Sequence, residues 1–487
     1  MVWMSIAAAV NKTLSFFTNL ILGWLLTQED FGLFALATSL SAIVFVMADG
    51  GAARLLRHPE DVRRLGRAVS TLSLGFNALA ALILLASAWP AGWFYDEAQL
   101  PWLMVVVAAA LPLSNRPLIL RTRMGADLRF RELSHLTSIS ILVRNVSMIG
   151  FALSGLGPMS FVIPLLVVNA VEWLILRRWV PGPIPGEPLD RTSFREIIGS
   201  ARWIIFGMIA AALVNNGAPS VIRIFEETGV VGQFFFGLQI AVAPAVLFSG
   251  GLRAVLMPSM ARLRDDPARQ ASALFRAVQT LALVGAPLAI GTALTAPALT
   301  RFLWQGRWDA AIPAIAVLGL SLAFRLSGPI GGSLLEARGE WRLRSLMLWI
   351  DGITTLLASG LGAALGGIEM IALCFSAQRI AMGLTHCFVS ARRVSLPWTR
   401  ILAALLPSHL VAGTAGLATL ALGRLVVNGW HPLLEATFLG ATFTALALAG
   451  AGLFFRPQLR ATVELIGSRR SGKRRHPRTP EAPQTLE

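Results

Sequence analysis

Residues 32–51 read GLFALATSLSAIVFVMADGG, and residues 232–251 read GQFFFGLQIAVAPAVLFSGG. Each is an apolar run of about the 20 residues that a helix needs to cross a bilayer. Aligned without a gap they share Gly32/Gly232, Phe34/Phe234, Val46/Val246, Gly50/Gly250 and Gly51/Gly251, at an offset of 200. Further on, at an offset of 212, Pro101 answers Pro313 and Pro117 answers Pro329. Single matches arise by chance in apolar sequence, so it is their collinearity that argues for an internal repeat.

The whole chain has the character of these two runs. Of its 487 residues 55% are hydrophobic and 14% charged, with a mean hydropathy of +0.66. Soluble domains carry about 25% charge, and disordered chains are poor in apolar residues. Both classes are excluded, which leaves an all-α polytopic membrane protein. Dividing the chain at charge clusters, prolines and glycines gives fourteen spans, near 4–26, 32–53, 68–90, 100–120, 134–154, 158–176, 202–222, 230–252, 273–297, 310–334, 345–365, 369–390, 400–423 and 432–455. The first has no basic flank before it and carries Asn11, Lys12, Ser15 and Asn19, so it reads as a retained transmembrane helix rather than a cleaved leader.

Charge orients the spans. With a cytoplasmic amino terminus, the even-numbered connections and the tail hold 33 basic residues and the external loops hold 4, namely Arg223, Arg301, Arg307 and Arg424. That bias predicts both termini on the cytoplasmic side. The eighth span lies six crossings on from the second, an even number, so the two repeat copies enter the membrane in the same direction. The expected plan is two six-helix lobes related by an axis along the membrane normal, with two helices appended. The boundaries are 1–178 and 202–390 for the lobes, 179–201 for a cytoplasmic loop, 391–455 for the appended pair and 456–487 for a basic tail. The tail, with Arg469-Arg470-Ser471-Gly472-Lys473-Arg474-Arg475, reads as a positive flank attracted to anionic membrane lipids.

Polar residues inside the spans mark candidate sites, because an arginine at mid-bilayer costs roughly 2.5 to 3.5 kcal/mol to insert. Lys12, Ser15 and Asn19 are spaced i, i+3, i+7 and share one helix face. Asn215, Pro219 and Arg223 make a similar stripe in the seventh span. Arg116, Arg144, Arg325 and Arg379 complete a set of intramembrane cations facing three acids, Asp49, Glu172 and Asp351. One reading is a cationic lumen for an anionic substrate, since the guanidinium fork suits phosphate; internal ion pairing or snorkelling is the other. The acids are candidates for coupling to an ion gradient. His409 reads as a packed histidine. Cys374 and Cys387 lie in one apolar run, which argues against a disulfide framework and a thiolate metal site. No catalytic or nucleotide-binding motif is present, so no enzyme, metal or cofactor is expected, and the arginines serve topology rather than nucleic acid.

Three stretches carry a family resemblance: Lys12–Phe16 (KTLSF) with Leu25–Ala37 (LLTQEDFGLFALA), then Arg129-Phe130-Arg131, then Arg325 through Gly328-Pro329 to Glu336-Ala337-Arg338-Gly339. They resemble the Wzx-type polysaccharide and O-antigen flippases, with Gln28 standing where the family usually has proline. The likeness extends over most of the chain, more weakly in the second half, and leaves out the tail. It implies a cytoplasmic (inner) membrane transporter of the multidrug/oligosaccharidyl-lipid/polysaccharide exporter superfamily. Its cargo would be undecaprenyl-diphosphate-linked oligosaccharide, moved by alternating access for O-antigen, capsule or exopolysaccharide synthesis, with the pathway's polymerase and glycosyltransferases as partners. The alternatives are a multidrug antiporter of the same superfamily and a membrane-embedded glycan polymerase or ligase.

Overall fold

A computed structural model describes residues 2–49, 56, 59–427 and 429–455, with the side chains of 2–9, 47–49, 192–193, 195–198, 200–204, 245–258 and 323 left out of the description. Among the described residues the chain is helical, with no strand. The first half comprises α1 (Val2–Leu25), α2 (Gln28–Asp49), α3 (Pro59–Phe94), α4 (Leu100–Ala126), α5 (Phe130–Leu153) and α6 (Met159–Trp179). The second comprises α7 (Arg191–Asn216), α8 (Ala218–Phe225), α9 (Thr228–Arg262), α10 (Pro267–Trp304), α11 (Ile312–Leu320), α12 (Leu322–Ala337), α13 (Trp341–Leu365) and α14 (Gly367–Arg392). Two more follow, α15 (Trp398–Val426) and α16 (Pro432–Phe454).

Helices are what a bilayer demands, since lipid offers no partner to a bare peptide group. Each of the fourteen expected spans falls on a helix or on a bent pair. Among the described residues ten helices are long and apolar enough to cross a membrane, and twelve spans result when each bent pair counts as one. The other two spans are α1 and α9, of 24 and 35 residues, whose side chains are described only in part. The pairs α7–α8 and α11–α12 bend by 47° and 44°. At the first bend Pro219 has no N–H for the carbonyl four residues back and its ring crowds it, so the helix breaks at Gly217.

The repeat is three-dimensional. In the first lobe α1 packs on α5, α5 on α6, α3 on α4 and α4 on α6; in the second α7 packs on α13, α13 on α14, α10 on α11 and α12, and α12 on α14. The first pair of matched prolines is equivalent too, because Pro101 and Pro313 both sit in the first turn of their helices, α4 and α11, where a missing N–H costs nothing. Of the second pair, Pro117 lies inside the continuous α4 and Pro329 inside α12, beyond a bend. Helices α15 and α16 lie against α10.

The lobes meet where α2 packs on α9, and the contact is made by the first matched glycines. A Cβ on Gly32 would run into the Thr228 carbonyl, and one on Gly232 into the Gln28 carbonyl. Gln233 Nε2 donates to Gln28 Oε1 at 2.6 Å beside the crossing. Around it lies an aromatic cluster in which Phe236 stacks on Trp308 at 3.8 Å and Phe34 on Phe161 at 4.2 Å, with Phe31 edge-on to Phe161, Phe236 and Trp308. Of the later matches, Gly50 and Gly51 fall outside the described residues, and Gly250 and Gly251 lie in the part of α9 whose side chains are left out of the description. This packing makes a prediction. Gly32→Ala or Gly232→Ala should destabilise the protein by about 1 to 3 kcal/mol, as overpacking does, read as a lowered unfolding midpoint in detergent. Gly75→Ala, in α3 with open space around the added carbon, should leave the midpoint unchanged or raise it slightly.

Candidate functional site

The helix connections alternate between two ends of the bundle. The end expected to be external, poor in arginine, is tied shut by hydrogen bonds between lobes. Arg223 Nη2 donates to the Tyr95 carbonyl at 2.7 Å and pairs with Glu97 Oε1 at 3.2 Å, while its Nε donates to Thr228 Oγ1 at 2.7 Å. Thr228 Oγ1 also bonds to Glu97. The chain's single tyrosine, Tyr95, donates its hydroxyl to the Ser220 carbonyl at 3.1 Å; burial raises its pKa above the usual phenol value, partly offset by Arg223. Across from it, Trp308 Nε1 donates to the Gly23 carbonyl at 2.9 Å and Trp304 Nε1 to Leu20 at 3.2 Å. Arg307 donates to the Trp24 carbonyl, and Gln28 Nε2 to the Arg307 carbonyl at 2.6 Å.

Below this seal, between the lobes, lies a cavity of about 530 Å³. Helix α1 contributes Asn11, Lys12, Ser15, Phe16 and Asn19, α5 Thr137 and Ile141, α7 Asn215, α9 Gln239, and α12 Arg325. Asn19 Nδ2 donates to Gln239 Oε1 at 3.2 Å, across the lobe boundary. Asn11 Nδ2 donates to Ser138 Oγ at 3.0 Å, and Asn145 Nδ2 to Ser15 Oγ at 3.4 Å, which fixes the rotation of α1 against α5. Phe17, one residue from the polar stripe, points away and is 55% exposed. Arg144 is exposed on α5 at i+7 from Thr137 and i+3 from Ile141, on the face that lines the cavity.

Asn215 and Arg325 also line a second cavity of about 270 Å³ inside the second lobe. Its wall is a charge relay. Glu336 pairs with Arg344 at 3.3 Å, and Arg344 Nη1 contacts His386 Nδ1 at 3.1 Å. Guanidinium only donates, so Nδ1 accepts and the ring proton sits on Nε2, which faces Asp351 Oδ2 at 3.6 Å. Asp351 pairs with Arg379 at 2.5 Å and accepts from Gln378 Nε2 at 3.0 Å; Arg379 also donates to Thr355. Three guanidinium groups thus face two carboxylates here. The surplus one is Arg325, whose guanidinium makes no hydrogen bond or ion pair among the described residues.

Several expected site residues stand elsewhere. Arg223 belongs to the seal, because the bend at Gly217 turns it off the face of Asn215. Arg379 and Asp351 are each other's partner rather than a free cation and a free acid. Glu172 pairs with Arg121 at 2.5 Å and accepts from Ser140 at 2.5 Å, so it too is neutralised. Arg116 opens onto another cavity, with Arg67 and Arg177. The side chain of Asp49 and the whole basic tail lie outside the described residues. His409 is packed, its Nδ1 on the Leu405 carbonyl at 2.7 Å and its ring against Phe324. Sequence reasoning missed Gln239, Glu336, Arg344, His386 and Gln378. Arg344 and Arg121 were counted with the basic connections, yet both lie inside helices.

Comparison with known proteins gives this architecture its relatives. The lipopolysaccharide biosynthesis protein WzxC of Escherichia coli K12 is 21% identical over 75% of this chain and 76% of its own length. The succinoglycan biosynthesis transport protein ExoT of Rhizobium meliloti is 24% identical over 76% of each chain. Among solved structures, the lipid II flippase MurJ in an inward closed conformation superposes with a TM-score of 0.73 at 13% identity, over 94% of this chain and all of its own. An inward-facing multidrug resistance MATE transporter follows at 0.65 and 11%, over 80% and 94%. These two likenesses establish a shared fold. Residues 21–313 match the family described as polysaccharide biosynthesis protein. The chain is a multi-pass membrane protein of the polysaccharide biosynthesis protein family.

Proposed function

We propose that this protein flips an undecaprenyl-diphosphate-linked oligosaccharide across the cytoplasmic membrane by alternating access, without catalysing a reaction. The observation that carries the reading is the central cavity, which brings the α1 stripe, Asn215 and the surplus guanidinium of Arg325 together between two lobes. A diphosphate is the group that such a cation holds well, through charge-assisted and bidentate hydrogen bonds. The hydroxyl and amide groups of Ser15, Asn19, Asn215 and Gln239 suit sugar hydroxyls. The polysaccharide relatives support a cargo of this class.

The orientation rests on the 33-to-4 bias of basic residues, which puts the sealed end outside and both termini in the cytoplasm. The chain is then closed to the outside, ready to receive cargo from the inner leaflet. The pathway's polymerase and glycosyltransferases would act on either side of this step. A multidrug extruder has the same fold, but a cavity with a surplus guanidinium repels cationic drugs.

Arg325→Ala is expected to weaken cargo binding by about 10- to 100-fold, the worth of one charge-assisted hydrogen bond. Polymer export at matched protein level should fall accordingly, and Arg325→Lys should recover only part of it. Full export by Arg325→Ala would refute the assignment. Water access gives an independent check. In a background lacking Cys374 and Cys387, single cysteines at Lys12, Ser15 and Asn19 should react with a small water-soluble thiol reagent, and one at Phe17 should not. Equal labelling at Ser15 and Phe17 would mean that α1 does not border an aqueous path.

A further inference from the structure

Three arginines outside the central cavity have no role in the reading above. Arg67 on α3, Arg116 on α4 and Arg177 in the last turn of α6 open onto one cavity of about 560 Å³ near the arginine-rich end. It shares no lining residue with the central cavity. Among the described residues none of the three guanidinium groups has a hydrogen-bond or ion-pair partner, and no carboxylate lines the space. Arg177 lies over the Trp173 ring, 5.2 Å from its centroid, which orients the group without neutralising it.

The cavity is built rather than incidental. Its fourth wall is the strap after α6, with Val180, Gly182, Pro183 and Ile184. That strap is clamped to α3: Glu187 N–H donates to the Arg64 carbonyl at 3.2 Å, and Gly186, at φ +116°, packs against the Gly66 and Arg67 amides with no room for a side chain. Leu120, Trp173, Val180 and Ile184 give the same space an apolar side. Trp173 is 37% exposed, as an indole at the level of lipid headgroups is. The three arginines are exposed to the space they line, and like charges gathered beside an apolar wall suit an anion that is also amphiphilic.

We propose that this cavity binds the headgroup phosphate of an anionic phospholipid resident in the arginine-rich leaflet. The two forks of Arg116 and Arg177 take the phosphate oxygens, Arg67 adds charge, and the apolar side receives the glycerol and first methylenes. Docking there would brace α3, α4 and α6 through the strap. The inference needs only a membrane-spanning chain and stands apart from the flippase reading.

The test is thermal unfolding of the full-length protein in neutral detergent, titrated separately with dioleoylphosphatidylglycerol, dioleoylphosphatidylcholine, inorganic phosphate and undecaprenyl diphosphate. Phosphatidylglycerol should raise the midpoint, and phosphatidylcholine and inorganic phosphate should not. In Arg116→Gln/Arg177→Gln the phosphatidylglycerol concentration for half the shift should rise about tenfold or more, as expected for losing charge-assisted contacts. Arg392→Gln/Arg400→Gln, which removes the same charge from exposed positions at the same end, should leave it unchanged. Should the first double variant fail to fold, Arg67→Gln alone should give a smaller loss in the same direction. An undiminished shift in the arginine variants overturns the proposal. So does equal stabilisation by inorganic phosphate, which would mark a free-anion site, or a response to undecaprenyl diphosphate alone, which would make the cavity part of the cargo route.

Discussion

Two helices touching backbone to backbone, α2 and α9 at Gly32 and Gly232, set the geometry of everything else. In lipid there is no hydrophobic force to bring helices together, so close approach depends on small residues and interhelical hydrogen bonds. Here the approach is so tight that neither position has space for a methyl group. It holds the lobes together at the arginine-poor end and allows them to part below, where the central cavity lies. The hydrogen bonds of Arg223 with Tyr95 and Glu97, and of Trp304 and Trp308 with α1, bind the same end from either side of that crossing. Their spread over both lobes makes the seal one unit rather than a single latch.

Charge is distributed by the same logic. Cations that only shape the protein are neutralised: Arg379 by Asp351, Arg121 by Glu172, Arg223 by Glu97. Removing one partner of a buried pair such as Arg379–Asp351 typically costs about 3 to 5 kcal/mol, so that pair acts as a fixed wall. Arg325 differs. Arg379 and Asp351 lie near enough to act on its charge, yet its guanidinium is turned to the cavities, where a ligand is able to reach it. The proposed function needs this division, because a site whose cations were all paired would hold no anion.

Much of this was legible in the sequence, and the failures have definite causes. The stripe of Lys12, Ser15 and Asn19 could be read because α1 is unbroken, so i, i+3 and i+7 stay on one face. The same reasoning applied to Asn215 and Arg223 failed because it assumed a continuous helix through Gly217 and Pro219. The glycine repeat disclosed two lobes, but nothing in a one-dimensional pattern says that matched glycines face each other. The pairs Arg379–Asp351 and Arg121–Glu172 join residues 28 and 51 positions apart on neighbouring helices, a distance at which sequence carries no signal without a fold. Arg344 and His386 escaped notice for a related reason: one was counted as a topology charge, and a lone histidine carries no signal until the fold sets Arg344 and Asp351 on either side of it.

For the proposed flippase to release its cargo, the end sealed by Gly32 and Gly232 must open. Gln28 and Gln233, hydrogen-bonded at 2.6 Å across that seal, provide the means to hold it shut. In a background without Cys374 and Cys387, Gln28→Cys/Gln233→Cys should cross-link on mild oxidation. Translocation of lipid-linked oligosaccharide in reconstituted vesicles should then stop, and return on reduction, while each single-cysteine variant keeps its rate under both conditions. Undiminished translocation by the fully cross-linked protein would contradict the account.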